Sequence, residues 1–496
     1  MATIRTTPGV YIAEKNAFPN SIVPVNTSVP AFIGYTEKAL NQQRDLRNKP
    51  IRISSLGEYR MFFGEAPPTT FQLSGHAGQA PAYHLQTEPD TRFLLYSSLK
   101  LFFANGGSAC YIVSIGGYAA APSLADFEAG CLEALKKEQE PTLVLAPDAV
   151  CLGAIDCGKF QRQILEHCSS TGRCFAILDV FTDEKTPPSL TDDVAVFRTN
   201  IDSENLAWGA AYYPWLHTIV EDMSSVDFTR FNAASQEVLR QLLQVETSML
   251  QASGSLSESS AAGLQAEIAK IGNVKDADIK TLHQTLSAAS AQYRKIMADV
   301  LQKLNFLPPS GAIAGIYCMV DNQQGVFQAP ANISPNAVSS LALNITNAQQ
   351  DDMNIPLDGK AVNAIRNFAG QGLLIWGART LDGNSQDWRY INVRRSIIFV
   401  EQSIKLGLEA YVFSANDAAT WASAHAMVEN FLMQYWQQGG LAGATAKDAF
   451  SVSIGLGSTM TPEDILAGRM RMTIMLAVVR PAEFIVITWE LMIAQG

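Results

Sequence analysis

Residues 461–469 read Thr-Pro-Glu-Asp-Ile-Leu-Ala-Gly-Arg, and residues 479–487 read Val-Arg-Pro-Ala-Glu-Phe-Ile-Val-Ile. These two stretches decide how the C-terminal part of the chain folds. In the first, Thr461 suits a helix N-cap and Pro462 the first helical position, so the pattern predicts a short helix followed by an apolar strand. In the second, Pro481 interrupts the strand, and apolar residues on both faces predict a further strand. Such a strand has to pair with another segment.

The length and composition of the chain indicate a large folded protein with more than one domain. A chain of 496 residues is too long for one ordinary core, so we expect two or more domains. Charged residues make up 17% of the sequence. A weakly charged surface fits a subunit that buries itself against its own copies, although a large core explains the same value. The net charge of −11 argues against a nucleic-acid-binding protein, which carries a basic surface.

The start of the chain and its cysteines bear on the cellular compartment. Residues 1–9 contain no apolar segment of the kind found in signal peptides, so none is expected. The longest apolar runs are short or interrupted by charges, so we expect no membrane insertion. Seven cysteines without a secretory signal predict reduced thiols and folding in a cytoplasm.

Strand and helix patterns alternate along the chain, which predicts a mixed α/β fold with a largely parallel sheet. The predicted strands include 31–35, 111–115, 142–146 and 174–179, and the predicted helices include 93–107 and 124–137. After residue 308 the pattern is again mixed, with helices predicted over 394–408 and 418–437 and a strand at 411–413.

Residues 221–307 differ from their surroundings, because they contain few aromatic residues and follow a helical period. Gly254, a serine-rich run and Gly272 break this stretch into about three predicted helices. We interpret it as a helical insertion. It either projects from the α/β domain or completes it, and the sequence does not decide between these two arrangements.

Short blocks of sequence in a fixed order carry a family resemblance. They are residues 8–12, 27–34, 102–111, 146–149, 212–215, 308–315, 325–332, 376–380 and 388–395, followed by the closing segment 461–487. This series resembles the sheath proteins of contractile phage tails and related contractile injection systems. The resemblance spans most of the chain.

The resemblance implies a two-domain architecture with arms at both chain ends. The inner domain would combine 1–29 with 331–496, and the outer domain would be 30–330. The family also implies that terminal arms add strands to the sheets of neighbouring subunits, a form of β-augmentation. The strand residues predicted to be exchanged between subunits are Val10, Tyr11, Ile12, Ala13, Glu483, Phe484, Ile485, Val486, Ile487 and Trp489.

The function implied by the resemblance is structural. Such subunits form stacked rings around an inner tube protein and contract to drive the tube through a target envelope. The implied partners are copies of the chain itself, the tube, baseplate and terminator proteins, and related sheath subunits. Assembly is expected in a bacterial cytoplasm, and the final particle would be a phage tail or a released extracellular particle. No catalytic residue, cofactor or metal is expected.

Several charged residues near the C-terminus are candidates for contacts between proteins. Arg394, Arg395 and Lys405 either face an acidic inner tube or form a solvated helix face. Arginines at 469, 471 and 480 lie among apolar residues, so we expect them to pair with carboxylates across an interface. The interface charges predicted in this way are Glu463, Asp464, Arg469, Arg471 and Arg480, with Glu483 as a further carboxylate.

Two alternatives to a sheath subunit remain open from the sequence. Residues 153–160 nearly spell a P-loop, which favours a nucleotide-dependent α/β enzyme, but Phe160 stands where a hydroxyl must hold magnesium. A capsid- or adhesin-like structural protein is the other alternative. Cys151, Cys157, Cys168 and Cys174 lack the spacing of a zinc site, so we expect buried thiols.

Overall fold

A computed structural model of the chain describes residues 21–76, 82–183 and 186–483. Helices and strands alternate along it, and the predicted mixed α/β fold class is confirmed. The described residues fall into two compact units. The larger unit contains 26–398 and 480–483, and the smaller unit contains 21–25 and 399–479.

The strands, numbered in chain order, are β1 (Pro30–Tyr35), β2 (Leu40–Asn41), β3 (Arg44–Asp45), β4 (Ile51–Ile53), β5 (Phe71–His76), β6 (Ala82–Thr87), β7 (Cys110–Gly116), β8 (Leu143–Leu145), β9 (Phe175–Asp179), β10 (Gly209–Tyr213), β11 (Leu216–Thr218), β12 (Phe306–Leu307), β13 (Val338–Leu341), β14 (Val362–Phe368), β15 (Gly372–Trp376), β16 (Phe450–Ile454) and β17 (Met472–Leu476).

The helices are α1 (Leu56–Phe63), α2 (Leu95–Ala104), α3 (Leu124–Glu128), α4 (Cys131–Lys136), α5 (Ala154–Thr171), α6 (Leu190–Asn200), α7 (Ala233–Ala252), α8 (Glu258–Ile268), α9 (Asp276–Ala289), α10 (Ala291–Leu304), α11 (Ser310–Gln323), α12 (Asn347–Asn354), α13 (Ile391–Leu408), α14 (Ala418–Gln437), α15 (Ala446–Ala449) and α16 (Pro462–Leu466).

The larger unit is built on an eight-stranded sheet in the order β15-β14-β10-β9-β8-β1-β7-β4. The inner pairs are parallel, and only the two edge strands pair antiparallel with their neighbours. All six residues of β1 are buried, as expected for a central parallel strand that is covered on both faces. The buried carboxylate of Asp148 ties this strand to α2, because it accepts from the amides of Tyr35 (2.7 Å) and Leu95 (2.9 Å).

The stretch predicted to be helical forms a separate hydrophobic core within the larger unit. Helices α7 to α10 pack with the hairpin β5–β6 around buried side chains such as Leu243, Leu286 and Ile296. The structure has four helices here rather than about three. The additional break is at Ser290, whose hydroxyl accepts from the Tyr293 amide at 2.9 Å and caps α10.

The smaller unit contains the end of α13, from Phe399 onward, and the segment from α14 to β17. Phe399 packs between Phe431 and Tyr435 of α14, with ring centroids 6.0 and 5.4 Å apart. Residues near the start of the described chain join this core. Ile22 is 7% exposed, and the Val25 amide donates to the Ser403 hydroxyl at 3.2 Å.

Two predicted elements are wrong. The helix predicted over 124–137 is split into α3 and α4, because Gly130 adopts a left-handed conformation with φ of +106° between them. The strand predicted at 411–413 is a 3-10 turn at Glu409–Tyr411 followed by Phe413 at φ of +68°. A strand cannot continue through a residue in that region of backbone space.

None of the helices in the described part of the chain combines the length and the apolar character needed to span a bilayer.

Candidate assembly site

The strands β16 and β17 form an isolated antiparallel ribbon in the smaller unit, with Phe450 opposite Leu476 and Val452 opposite Ile474. Strand β16 packs against α14. Along β17 the side chains alternate, because Ile474 is half-buried whereas Met475 is 64% exposed. The ribbon thus has a covered face and a face open to solvent.

The outer edge of β17 has unpaired backbone groups. The Ala477 amide donates to the Ala449 carbonyl at 2.8 Å, which identifies this opposed pair as hydrogen-bonded. Because hydrogen-bonded and non-hydrogen-bonded pairs alternate in antiparallel ribbons, Met472, Ile474 and Leu476 direct their N–H and C=O groups away from β16. Within residues 21–76, 82–183 and 186–483, these outward groups have no hydrogen-bond partner.

The outer edge of β16 is capped at its centre by a side chain. Nε2 of His425, on α14, lies 3.0 Å from the carbonyl oxygen of Val452. A carbonyl oxygen can only accept, so Nε2 carries the proton, and Nδ1 faces Glu429 at 3.4 Å. Of the two edges of the ribbon, the one on β17 is therefore the better acceptor for an added strand.

The segment that follows β17 is fixed by a buried arginine of the larger unit. Nε and Nη2 of Arg379 donate to the Glu483 carboxylate at 2.9 and 2.6 Å, and the Tyr390 hydroxyl donates to it at 3.2 Å. The Arg379 side chain is 3% exposed and also donates to the Asn354 carbonyl at 2.9 Å. Burial and the Glu483 charge raise the pKa of Tyr390, which keeps the phenol protonated as a donor.

A second buried arginine holds the chain just before β1. Nη2 of Arg395 donates to the Thr27 carbonyl at 3.0 Å, and the Thr142 hydroxyl donates to the same oxygen at 2.7 Å. Arg395 also forms a bidentate ion pair with Asp321. Burial alone would lower the pKa of Arg395, but the neighbouring Asp321 charge outweighs it and raises this pKa.

The three residues predicted to face the tube, Arg394, Arg395 and Lys405, differ in their exposure to solvent. Arg394 is buried, with its guanidinium 3.5 Å from the ring centroid of Trp208 and 4.6 Å from that of Trp388. Arg395 is buried as described above. Neither residue occupies the tube-facing position or the solvated helix face expected from the sequence, because both have internal partners. Lys405 is exposed.

The predicted interface charges have partners within the chain. Arg471 pairs with Asp464 at 2.9 Å, and the Asp464 carboxylate also lies in the capping box with Thr461. Arg480 lies 3.9 Å from Asp387 in an exposed pair. Arg471 and Arg480 therefore pair with carboxylates of their own chain, whereas pairing across a subunit interface was expected.

The remaining predicted charges make backbone contacts or are open to solvent. The Arg469 amide donates to the Asp464 carbonyl at 2.8 Å, and Glu463 is exposed. Arg379 is not among the residues predicted from the sequence, although it lies within one of the blocks that carry the resemblance. Only its folded position next to Glu483 marks it as part of the site.

Most of the predicted exchange strands lie outside the described residues. They are Val10, Tyr11, Ile12 and Ala13 of the first arm, and Phe484, Ile485, Val486, Ile487 and Trp489 of the second.

The near P-loop at 153–160 does not form a phosphate-binding loop. The segment from Ala154 onward is the start of α5, where Asp156 and Lys159 pair with each other at 2.7 Å. Phe160 is fully buried against Phe127, with ring centroids 4.6 Å apart. A P-loop wraps backbone amides around a phosphate ahead of its helix, and here the corresponding residues are already helical.

Of the four cysteines considered for a metal site, Cys157, Cys168 and Cys174 are buried, as expected, whereas Cys151 is half-buried. Burial raises the pKa of the Cys157 and Cys168 thiols, as it does for thiols packed in an apolar core.

Comparison with protein families finds a match in the C-terminal part of the chain. Residues 384–492 match the phage tail sheath C-terminal domain family. The tail sheath protein of Vibrio phage KVP40 is 26% identical over 139 residues, and that of Salmonella phage ViI is 24% identical over 139 residues. These matches cover 27% and 28% of the chain, and only 20% and 22% of those two proteins.

Comparison with solved structures extends the match to the whole chain. The sheath complex of an extracellular contractile injection system, PVC, in its contracted state is 26% identical, with a TM-score of 0.61 and 98% of both chains covered. The contracted helical sheath of the anti-feeding prophage, AFP, is 25% identical, with a TM-score of 0.60, and 98% of this chain and 99% of that chain are covered.

The fold and these matches confirm the predicted resemblance of the chain to contractile tail sheath proteins. The PVC and AFP sheaths are similar to it over 98% of its length.

Proposed function

We propose that this chain is a structural subunit of a contractile sheath, which assembles as stacked rings around an inner tube and contracts to drive that tube through a target envelope. The observation that carries this proposal is the similarity to contracted PVC and AFP sheaths over almost the entire chain. The subunit acts by assembly rather than by catalysis. Its partners are its own copies, an inner tube protein, baseplate and terminator proteins, and related sheath subunits.

The link between subunits is strand exchange. The open edge of β17 accepts a terminal arm of a neighbouring subunit, either Val10–Ala13 or the segment after Glu483. Each added backbone hydrogen bond contributes about 0.5–1.5 kcal/mol net, so a short strand contributes a few kcal/mol. Full burial of each large apolar side chain adds about 1.5–3 kcal/mol. A link of this strength holds while the subunits rotate against one another.

The site of strand addition is tested by proline substitutions on the two edges of the ribbon. In Ile474→Pro the lost N–H points away from β16, so the ribbon keeps its internal hydrogen bonds while the β17 edge is blocked. Ile454→Pro is the matched control, because Ile454 is also a half-buried isoleucine with an outward N–H, but on the β16 edge. Both variants are expected to fold, as measured by circular dichroism.

Negative-stain electron microscopy of the purified full-length chain then gives the outcome. We expect hollow striated tubes from the unmodified chain and from Ile454→Pro, and isolated subunits from Ile474→Pro. Deletion of residues 1–15 is also expected to give folded subunits that do not polymerise. Tubes from Ile474→Pro would refute the β17 edge as acceptor, and uniform monomers of the unmodified chain under all conditions would refute the sheath function.

The division into a tube-proximal inner domain and an outer domain remains a proposal. The smaller unit combines residues close to the N-terminus with residues 399–479, and this composition from both ends supports its assignment as the tube-proximal part. Lys405, an exposed cation of this unit, is the remaining candidate for contact with an acidic tube. The particle would be a phage tail or an extracellular injection particle assembled in a bacterial cytoplasm.

A further inference from the structure

The chain changes from one compact unit to the other immediately before its C-terminal arm. Strand β17 and the residues up to Val479 belong to the smaller unit, whereas Arg480 onward belongs to the larger unit. Glu483 is the fourth residue after this crossing, and it is bound by Arg379 and Tyr390. Glu483, the last described residue before the arm, is therefore bound to the larger unit, although the preceding strand β17 lies in the smaller one.

The contacts at Glu483 form a rigid clamp. Arg379 uses Nε and Nη2 for the carboxylate, and it uses Nη1 for the carbonyls of Asn354 (2.9 Å) and Gly383 (3.2 Å). Its own amide donates to the Asn363 side chain at 2.8 Å. All three guanidinium nitrogens of Arg379 are hydrogen-bonded and the side chain is 3% exposed, so these contacts fix the orientation of the guanidinium.

From this geometry we propose that Arg379 is the positioning residue that anchors the C-terminal arm, so that tension on the arm passes into the larger unit and not into β17. The inference rests on the proposed function, since it assumes that a neighbouring subunit holds the arm. The Thr27 carbonyl is held in the same way by the buried Arg395. A buried arginine thus fixes the chain close to each of its two crossings between the units, at Thr27 and at Glu483.

The physical need for such an anchor follows from the ribbon. Strand β17 pairs with β16 alone, through five opposed residue pairs. A pull on the C-terminal side of β17 would first load the Leu441–Val478 bridge and the bonds of Ala477 to Ala442 and Ala449, and would then break the β16–β17 hydrogen bonds one at a time. The bidentate Arg379–Glu483 bond lies between the pulled arm and Ala477, and an N–H···O bond between charged groups is about twice as strong as a neutral one.

The test uses Glu483→Gln in the full-length chain, because Gln keeps the size of Glu and removes the charge. The matched control is Asp387→Asn, which removes the partner of Arg480, a residue in the same segment as Glu483. The side chains of Arg480 and Asp387 are 3.9 Å apart and are 55% and 80% exposed. Arg379→Lys is the second variant. Lysine keeps the positive charge but lacks the two planar N–H donors of arginine. This variant therefore shows whether the bidentate hydrogen bonds are needed or whether charge attraction alone is enough.

Hydrogen–deuterium exchange of unassembled subunits is the first measurement. In Glu483→Gln and Arg379→Lys we expect amides 472–483 to exchange about tenfold faster, which corresponds to about 1.4 kcal/mol of local opening free energy. The urea midpoint should fall, because both substitutions break the ion pair of the buried Arg379, but exchange in β1 should change far less than exchange at 472–483. A merely structural role would accelerate exchange throughout the larger unit. Exchange at 472–483 equal to that of Asp387→Asn would overturn the anchor.

The second measurement applies load to the assembled protein. Polymers of each variant are passed through a calibrated shear flow, and their lengths are measured by electron microscopy. We expect the long polymers of Glu483→Gln to be lost at a shear rate that leaves Asp387→Asn and unmodified polymers intact. Equal resistance would contradict the proposal. If the unmodified chain never polymerises, the sheath function fails, while the exchange measurement still decides whether Arg379 anchors the arm.

Discussion

Arg395 and Asp321 form an ion pair inside the larger unit, with Nη2 of Arg395 2.5 Å from Oδ2 of Asp321 and side chains 4% and 1% exposed. The ring of Tyr317 lies 4.7 Å from the guanidinium, and the Thr27 carbonyl takes a further hydrogen bond. Because both side chains are buried, each charge is stabilised mainly by the other and by these internal contacts.

Removal of one member of this pair should strongly destabilise the chain. In Asp321→Asn the Arg395 charge stays buried without its counterion, so we expect the free energy of unfolding to fall by about 3–5 kcal/mol. Urea denaturation followed by circular dichroism measures this change. Asp156→Asn is the control, because the Asp156–Lys159 pair is half-exposed and should contribute below about 1 kcal/mol. Equal effects of the two substitutions would show that the buried pair does not stabilise the fold.

The buried Asp179 should make stability depend on pH. Burial raises the pKa of Asp179 to about 7, against the lowering effect of the hydrogen bonds from Ser310. The folded state therefore holds a proton that the unfolded chain, with a pKa near 3.9, has released. The protonated Asp179 contributes its full stabilisation below about pH 4. As the pH rises to 7 this contribution is lost, and the free energy of unfolding falls by up to about 1.4 kcal/mol per pH unit.

Asp179→Asn tests this dependence, because Asn keeps an oxygen that accepts from the Ser310 amide, which lies 2.8 Å from Oδ1 of Asp179. We expect the free energy of unfolding to drop less between pH 5 and pH 8 in the variant than in the unmodified chain, with urea titrations at both values as the measurement. Asp417→Asn is the control, because the hydrogen bond donated by the Thr420 amide lowers the pKa of Asp417, so this carboxylate is ionised in both states between pH 5 and pH 8 and its replacement should leave the drop unchanged. Identical drops in Asp179→Asn and in the unmodified chain would contradict the prediction.

The helical part of the larger unit should open independently of the parallel sheet. Leu286 is fully buried in the core formed by α7–α10 and the β5–β6 hairpin. Leu286→Ala should destabilise this core by about 2–5 kcal/mol. Amides of 233–304 should then exchange faster, while those of β1 stay protected. Met249→Ala, at a side chain 40% exposed, is the control, and uniform acceleration across both cores would show that they unfold as one.

Local patterns in the sequence were sufficient to predict elements whose stabilising contacts are also local. The helix at 462–466 has the predicted Thr461 cap, because the capping box involves residues three apart. Strand β1 has the predicted position, because its uninterrupted apolar run fits only a strand buried on both faces. The series of sequence blocks predicted the sheath class, which the comparisons confirm.

Contacts between residues distant in the sequence were not predictable in the same way. Arg394 looked like a surface charge on a helix, yet Trp208, 186 positions earlier in the chain, stacks on its guanidinium. Glu483 was expected to pair across an interface, whereas Arg379 pairs with it inside the chain. Helical periodicity specifies which side of a helix is apolar, but it does not show that aromatic rings will cover a cation there.

The turn between α7 and α8 gives this chain a permissive position for genetic insertion. Gly254 is left-handed, with φ of +74°, and the amides of Ser255 and Leu256 both donate to the Leu250 carbonyl, so the bonds of the turn are local. Residues 251–255 are exposed. An epitope or a small fluorescent domain placed after Gly254 would interrupt neither hydrophobic core. Every copy in an assembly would then display the same label, which turns the particle into a repetitive scaffold for imaging or antigen presentation.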